Sequence, residues 1–188
     1  FGGCGVYGYM FFSSTANTVH NLTIEKRWES MHRDIDLIKS IDSKYENLAL
    51  GIQAGQYALF TNGQYASIFP DEYGAAVTAH FYMTEHPTPR NVLLIGGGAE
   101  GLIGEILKHP VERLDYVELD PKLLDLLFEY LPSDAKRALK DPRVSVIYTD
   151  GRYHIKQADR RYDVVILNIP DPTNAMLNRF YTLEFFQE

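Results

Sequence analysis

Apolar positions along the chain follow two different rhythms that meet near residue 86. In residues 45–69 (YENLALGIQAGQYALFTNGQYASIF) three short β-rich runs are separated by Ala54-Gly55 and Asn62-Gly63. Asn-Gly between two such runs is a strong hairpin signal, because both residues tolerate positive φ. The spacing therefore predicts an antiparallel meander over 45–69, closed by Pro70-Asp71-Glu72. Residues 71–86 predict a helix that begins at Asp71, a residue type suited to capping the first turn, and holds Ala75, Ala76, Val77 and Ala79 in its interior. HPTPR at 86–90 ends it. From there the pattern becomes NVLLIG, a helix near 101–109, LDYVEL, a helix near 121–131, VSVIY and, after a polar stretch, DVVILNI. Near-continuous apolar runs alternating with helices mark parallel strands buried on both faces. The expected fold class is α/β, a Rossmann-like doubly wound sheet preceded by a small antiparallel β domain.

Ahead of the meander, residues 13–24 are polar and 25–40 (EKRWESMHRDIDLIKS) mix charges with spaced apolar positions, which reads as a linker followed by a short helix or strand lead-in. The expected division is an apolar arm and lead-in over 1–42, a β domain over 43–70 and the Rossmann-like domain over 71–188. Doubly wound sheets of the nucleotide-binding kind continue past their switch point, so the C-terminal strands are expected to be missing from this chain. The apolar, Gly-rich start at 1–12 (FGGCGVYGYMFF) is shorter than the roughly 20 residues of a membrane span. It reads either as the end of a membrane helix whose remainder lies outside this chain or as a loosely docked arm.

Composition narrows the ligand. With 188 residues and 45% hydrophobic content the chain is long enough for one well-filled core. A formal charge of -7 and the lack of any Lys/Arg cluster argue against nucleic acid and favour a cationic or neutral small ligand. The single cysteine, Cys4, excludes an internal disulfide and a Cys-based zinc site, and the six histidines show no metal-ligand spacing, so no metal is expected.

Gly96-x-Gly98-x-x-Gly101, with Gly97 between the first two, follows a predicted strand and opens a predicted helix, the context in which a glycine turn of this kind binds a nucleotide. Glu118 closes the next strand, where an acid commonly accepts hydrogen bonds from ribose hydroxyls, and Asp150-Gly151 closes the third. Three adjacent carboxyl-end positions thus point to an adenosine compound. Glu100 stands inside the turn with no basic neighbour in sequence and would repel a pyrophosphate. A ligand without phosphates fits better, such as the cationic sulfonium of S-adenosylmethionine or a relative, which makes the sheet one of the S-adenosylmethionine-transferase type.

The landmarks YENLALG, LFTNGQ, DEYG, VLLIGGGAEG, ILKHPVERLDYVELDP, DPRVSVIYTDG, YDVVILNIPDP and FYTLEFF, spread in order over about residues 43–186, resemble the polyamine aminopropyltransferases, that is spermidine synthase and its relatives. The likeness is greatest to bacterial spermidine synthase-like domains fused to membrane segments, which suits the apolar start. The resemblance implies a donor, decarboxylated S-adenosylmethionine, whose aminopropyl group passes to an amine or polyamine acceptor. It implies ribose binding by Glu118 and binding of the adenine amine by Asp150. It also implies a cytoplasmic protein, tethered at the inner face of the membrane if the arm continues, and a homodimer through the β domain.

Several family positions carry other residues. The loop GGGDGG, whose Asp holds the aminopropyl amine, has Ala99 there, with Glu100 one place later. The DSSDP motif, whose first Asp helps deprotonate the attacking amine, reads NIPDP, so Asn168 takes that place and Asp171 is retained. A Tyr-Gln/His-Glu group that helps bind the acceptor maps to Ala75, Ala76 and Val77, and the Gln of a YQ pair is Glu46. Gln64 and Asp71 are placed to form a lid over the nucleoside, and Tyr73, Arg179 and Tyr181 are candidates for an altered acceptor pocket, Arg179 for one that takes a carboxylate. Three functions stay open at this point: aminopropyl transfer to a divergent acceptor, another transfer such as methylation from S-adenosylmethionine, and a non-catalytic module that binds adenosyl compounds or polyamines.

Overall fold

The computed structural model describes residues 14–170, 172 and 175–188. The apolar start at 1–12 and Asp171 lie outside the described residues. The described residues begin with helix α1 (Ser14–Met31), followed by strands β1 (Asp36–Asp42), β2 (Asn47–Gln53), β3 (Gln56–Thr61) and β4 (Gln64–Phe69). These form an antiparallel sheet in the order β1-β2-β3-β4. The turns predicted from Ala54-Gly55 and Asn62-Gly63 are present, with φ of 51° and 83° in the first and 51° and 78° in the second. The stretch read as a linker and lead-in is different: it holds most of α1 and a fourth strand. Strand β1 escapes a period-2 reading because its register slips between Leu37 and Lys39, which puts Leu37 and Ile38 out of alternation.

Alternation along β2 and β3 sends side chains to two separate cores. Ala49, Ala58 and Phe60 face outward, where Trp28 at the end of α1 lies edge-on to Phe60 with ring centroids 4.9 Å apart. The Trp28 indole N–H donates at 2.6 Å to the carbonyl of Ile35, the residue before β1, so the helix is fixed by packing on the sheet and by a hydrogen bond to the loop that leads into it. Leu48, Leu50, Leu59 and Phe69 face inward, into the main core.

Helix α2 (Glu72–Met83) links the two sheets. Its first turn is capped as predicted, the Asp71 carboxylate accepting from the Gly74 N–H at 2.9 Å. The second sheet contains β5 (Asn91–Ile95), β6 (Arg113–Glu118), β7 (Val144–Tyr148) and β8 (Val164–Leu167), all parallel, in the order β7-β6-β5-β8. Between them run α3 (Leu102–Ile106), α4 (Pro121–Tyr130), α5 (Ser133–Leu139) and α6 (Gly151–Gln157), with the short α7 (Ala175–Asn178) and α8 (Leu183–Phe186) at the end. Helix α5 was not predicted; it buries only Ala135 and Ala138, too narrow a stripe to register as a periodic signal. On one face of this sheet Val92, Leu94, Leu114 and Tyr116 join the main core with Ala79 and Met83 of α2, and on the other Leu93, Ile95 and Val117 pack on Phe180 and Phe185. Strand order reverses beside β5, and the crevice at the carboxyl ends of β5 and β8 is where open α/β sheets bind ligands. No helix among the described residues is long and apolar enough to cross a membrane.

Candidate functional site

A cleft of about 930 Å³ occupies that crevice, roofed by β4 and by the turn that precedes β2. It is at the upper end of the range usual for small-molecule sites, about 300–1,000 Å³. Of the predicted site residues, Gly96, Gly97, Gly98, Glu100, Glu118, Asp150, Gly151, Gln64, Asp71, Asn168 and Arg179 all line it. Tyr73 is 82% exposed and outside the lining, and Tyr181 stands outside it too, its hydroxyl donating weakly to the Pro170 carbonyl at 3.4 Å.

The glycine turn needs its glycines. Gly97 and Gly98 have φ of 51° and 105°, a region that side chains other than glycine seldom occupy. A Cβ on Gly97 would also come within 2.5 Å of Asn168 Nδ2, so the loop after β5 and the first residue after β8 close on each other. Asn168 continues the strand geometry of β8, its N–H donating to the Ile95 carbonyl at 2.9 Å, and its amide lies exposed at the cleft mouth.

Glu100 has partners that its neighbours in sequence do not suggest. Its Oε1 accepts from the Ser67 hydroxyl on β4 at 2.8 Å and its Oε2 from the Gly98 N–H at 2.9 Å. The acid therefore clasps the glycine turn to the first sheet. It also occupies the Gly98 N–H, a donor that a pyrophosphate would use, and leaves its negative charge in the loop. A phosphate-bearing dinucleotide is disfavoured on both counts.

Beside the turn, Glu118 is buried, only 6% exposed. Its Oε1 accepts from the Asp120 N–H at 3.1 Å and its Oε2 from the Tyr116 hydroxyl at 3.2 Å. Burial raises its pKa above the usual carboxylate range and the charge of Glu100 adds to this, while the hydrogen bonds pull the other way. Glu46, in the turn before β2, lines the same part of the cleft. Its pKa is also raised, first by burial and then by the negative charges of Asp120 and Glu118. The sequence showed Glu46 as a changed family position but gave no reason to place it near Glu118, 72 residues later. An acidic wall of this kind suits hydroxyl donors and cations, not anions.

At the far end of the cleft Asp150 caps α6, its Oδ1 accepting from the Tyr153 N–H at 3.0 Å. Its Oδ2 is held by the guanidinium of Arg179 in a close ion pair. Arg179 was expected to be an acceptor residue for a carboxylate; the structure instead sets it against the protein's own acid, half-buried, with its guanidinium 5.0 Å from the centre of the Phe180 ring.

Residues 74–188 match the spermine/spermidine synthase domain family. The polyamine aminopropyltransferase of Leptospira interrogans is 35% identical over 162 residues, covering 84% of this chain and 32% of the relative, and that of Bacillus subtilis is 38% identical over 124 residues, covering 65% and 45%. The crystal structure of a spermidine synthase in complex with the transition-state analogue AdoDATO superposes with a TM-score of 0.72 at 28% identity, over 81% of this chain and 53% of that one. The spermidine synthase of Thermotoga maritima gives 0.69 at 28% identity, over 81% and 52%. The chain thus spans about half the length of these structures and less of the curated relatives. With a family match over most of its length, and with the glycine turn, Glu118 and Asp150 at one crevice, the chain belongs to the spermine/spermidine synthase family.

Proposed function

We propose that this chain provides the donor-binding part of an aminopropyltransferase that takes decarboxylated S-adenosylmethionine and passes its aminopropyl group to an amine or polyamine. The observation that carries the reading is the clasped glycine turn: Glu100 caps the phosphate-type donor of Gly98 and keeps a negative charge in the loop, in a cleft whose adjoining wall is acidic. That environment favours a cationic sulfonium without phosphates. Glu118 is assigned to the ribose hydroxyls and Asp150 to the adenine amine, the roles that the family resemblance gives them; that both line the one cleft supports the assignment. The relatives named as polyamine aminopropyltransferases and the neighbour bound to AdoDATO support the same donor.

In such a transfer the acceptor nitrogen attacks the aminopropyl carbon bonded to sulfur, the C–S bond breaks, methylthioadenosine leaves, and the nitrogen gives up a proton. A positioned carboxylate typically contributes about 10²–10⁴-fold to a proton-transfer step of this kind. Asn168 stands at the cleft mouth where the family has an Asp, and an amide does not accept that proton. Proton acceptance therefore falls to Asp171, and the basal rate of the chain is slow. Restoring the acid with Asn168→Asp is expected to raise aminopropyl transfer at least tenfold, measured as methylthioadenosine released per minute from the decarboxylated donor. An unchanged rate would show that position 168 takes no part in the proton transfer.

Calorimetric titration with decarboxylated S-adenosylmethionine, S-adenosylmethionine and methylthioadenosine tests the donor. The decarboxylated donor should bind most tightly, because the carboxylate of S-adenosylmethionine meets Glu100 and the acidic wall. Tighter binding of S-adenosylmethionine would overturn the aminopropyl reading. A cytoplasmic location, a tether through residues 1–12 and a homodimer through the first sheet complete the proposal; membrane fractionation and sedimentation velocity check them.

A further inference from the structure

Both oxygens of the Asp150 carboxylate already have a partner within the protein: Oδ1 takes the Tyr153 N–H and Oδ2, the oxygen of the cleft ion pair, the Arg179 guanidinium. Asp150 and Arg179 both line the cleft. Arg179 is also held in place, since the Arg152 guanidinium donates to its carbonyl at 3.3 Å and the next residue, Phe180, is buried against the second core. From these contacts we infer that Arg179 is a latch on the nucleobase end of the cleft, which an adenine must displace from Asp150 before its exocyclic amine can bind there. The inference rests on the proposed nucleoside reading and adds a specificity element to it.

The physical trade is between two charge-assisted contacts to one oxygen. The guanidinium is a cation and the adenine amine a neutral donor, so the amine alone does not compete well; the ligand also has to bring the burial of its ring. Opening the latch therefore lowers the observed affinity by the strength of the Arg179–Asp150 pair. It also selects: a base with a 6-amino group recovers a hydrogen bond to Asp150 at that position. A 6-oxo base presents an acceptor there, loses that hydrogen bond and has its oxygen repelled by the carboxylate once Arg179 has moved. With the side chains of the pair 34% and 27% exposed, solvent screens part of the interaction.

The test compares methylthioadenosine with methylthioinosine, which differs at the 6-position, on the wild-type chain, Arg179→Ala and Arg179→Gln. Each variant should bind methylthioadenosine more tightly than wild type, roughly three- to thirtyfold for Arg179→Ala. Methylthioinosine should gain less or lose affinity, so the adenine-to-hypoxanthine preference increases. Arg179→Gln keeps bulk and hydrogen-bonding capacity without the charge and should shift in the same direction; with melting curves on all three proteins it guards against a folding artefact. Equal or weaker methylthioadenosine binding by folded variants overturns the latch and leaves the nucleoside reading standing. Failure of wild type and both variants to bind methylthioadenosine overturns the nucleoside reading, and the latch with it.

Discussion

Glu100 illustrates how much one side chain can decide. Its two oxygens connect Ser67 of the first sheet and Gly98 of the glycine turn, so removing it frees the turn and detaches the roof of the cleft at one point. Hydrogen bonds to a charged group contribute about 1.5–3 kcal/mol each, and a lost partner leaves the other group unsatisfied. Glu100→Ala should cost about 1–3 kcal/mol in urea unfolding, Ser67→Ala less, and the double variant less than the sum, because both remove one contact. Strict additivity would mean that the two residues do not interact in solution. A second polar anchor lies outside the cleft. The buried Asp115, 1% exposed, accepts from Arg113 Nε at 2.9 Å and from the Tyr162 hydroxyl at 2.9 Å, and Tyr162 in turn meets His154 Nε2 at 2.9 Å. Burial and the neighbouring carboxylate push the Tyr162 hydroxyl well above its ordinary pKa, so it remains a donor. Tyr162→Phe leaves Asp115 Oδ2 without that donor and should cost about 1–3 kcal/mol in chemical denaturation, with the fold retained. A neutral result would mean that the hydroxyl contributes nothing net.

At the level of elements, α2 meets α3 and the loop after it at a histidine pair, His80 Nδ1 lying 2.8 Å from His109 Nε2 of that loop, with Glu105 Oε2 of α3 3.8 Å from His80 Nε2. One proton fits between the rings and a second does not. The His109 pKa is lowered, first by burial and then by His80, with Glu105 acting in the opposite sense. A histidine that is less basic folded than unfolded opposes folding once it is protonated, so its contribution is lost as pH falls from about 6.5 towards its lower folded value. Melting temperature should therefore rise with pH across this window, and His109→Gln should flatten the rise. A slope unchanged in the variant would locate the effect in another group. Helix α3 follows directly from the glycine turn, so these elements also show what was legible in the sequence. Features built from neighbours in the chain were readable: the Asn62-Gly63 hairpin, the Asp71 cap, the four parallel strands and the glycines and acids at their ends. Features that need contacts across the chain were not. The Ser67–Glu100 clasp joins residues 33 apart and the Arg179–Asp150 pair residues 29 apart, and nothing local marks either. Helix α1 was missed for another reason: among its described side chains only Trp28 is buried, so it presents no apolar stripe.

For the whole molecule the question is whether the first sheet, over residues 43–70 with β1, behaves as a unit separate from the Rossmann-like part. Packing argues that it does not. Leu48, Leu50, Leu59 and Phe69 are at most 3% exposed, and what covers them is the main core shared with Ala79 and Met83 of α2 and with Val92 and Leu94 of β5. Detaching the sheet would expose that whole face to water, at about 25 cal/mol per Å² of apolar surface, and leave four strands with only the small Trp28 cluster to stabilise them. Two probes follow the two parts. Trp28, the single tryptophan, reports on the outer face of the first sheet, and far-UV circular dichroism is dominated by helices, most of which belong to the second. Their urea transitions should coincide, with one midpoint and one slope, as expected for a single cooperative unit. Leu50→Ala, which removes a fully buried side chain from the shared core, should lower both midpoints together, by about 2–5 kcal/mol in unfolding free energy. A fluorescence transition that runs ahead of the dichroism, or a Leu50→Ala effect confined to the fluorescence, would instead make the first sheet an independent domain, and the roof of the cleft a part that can open without unfolding the rest.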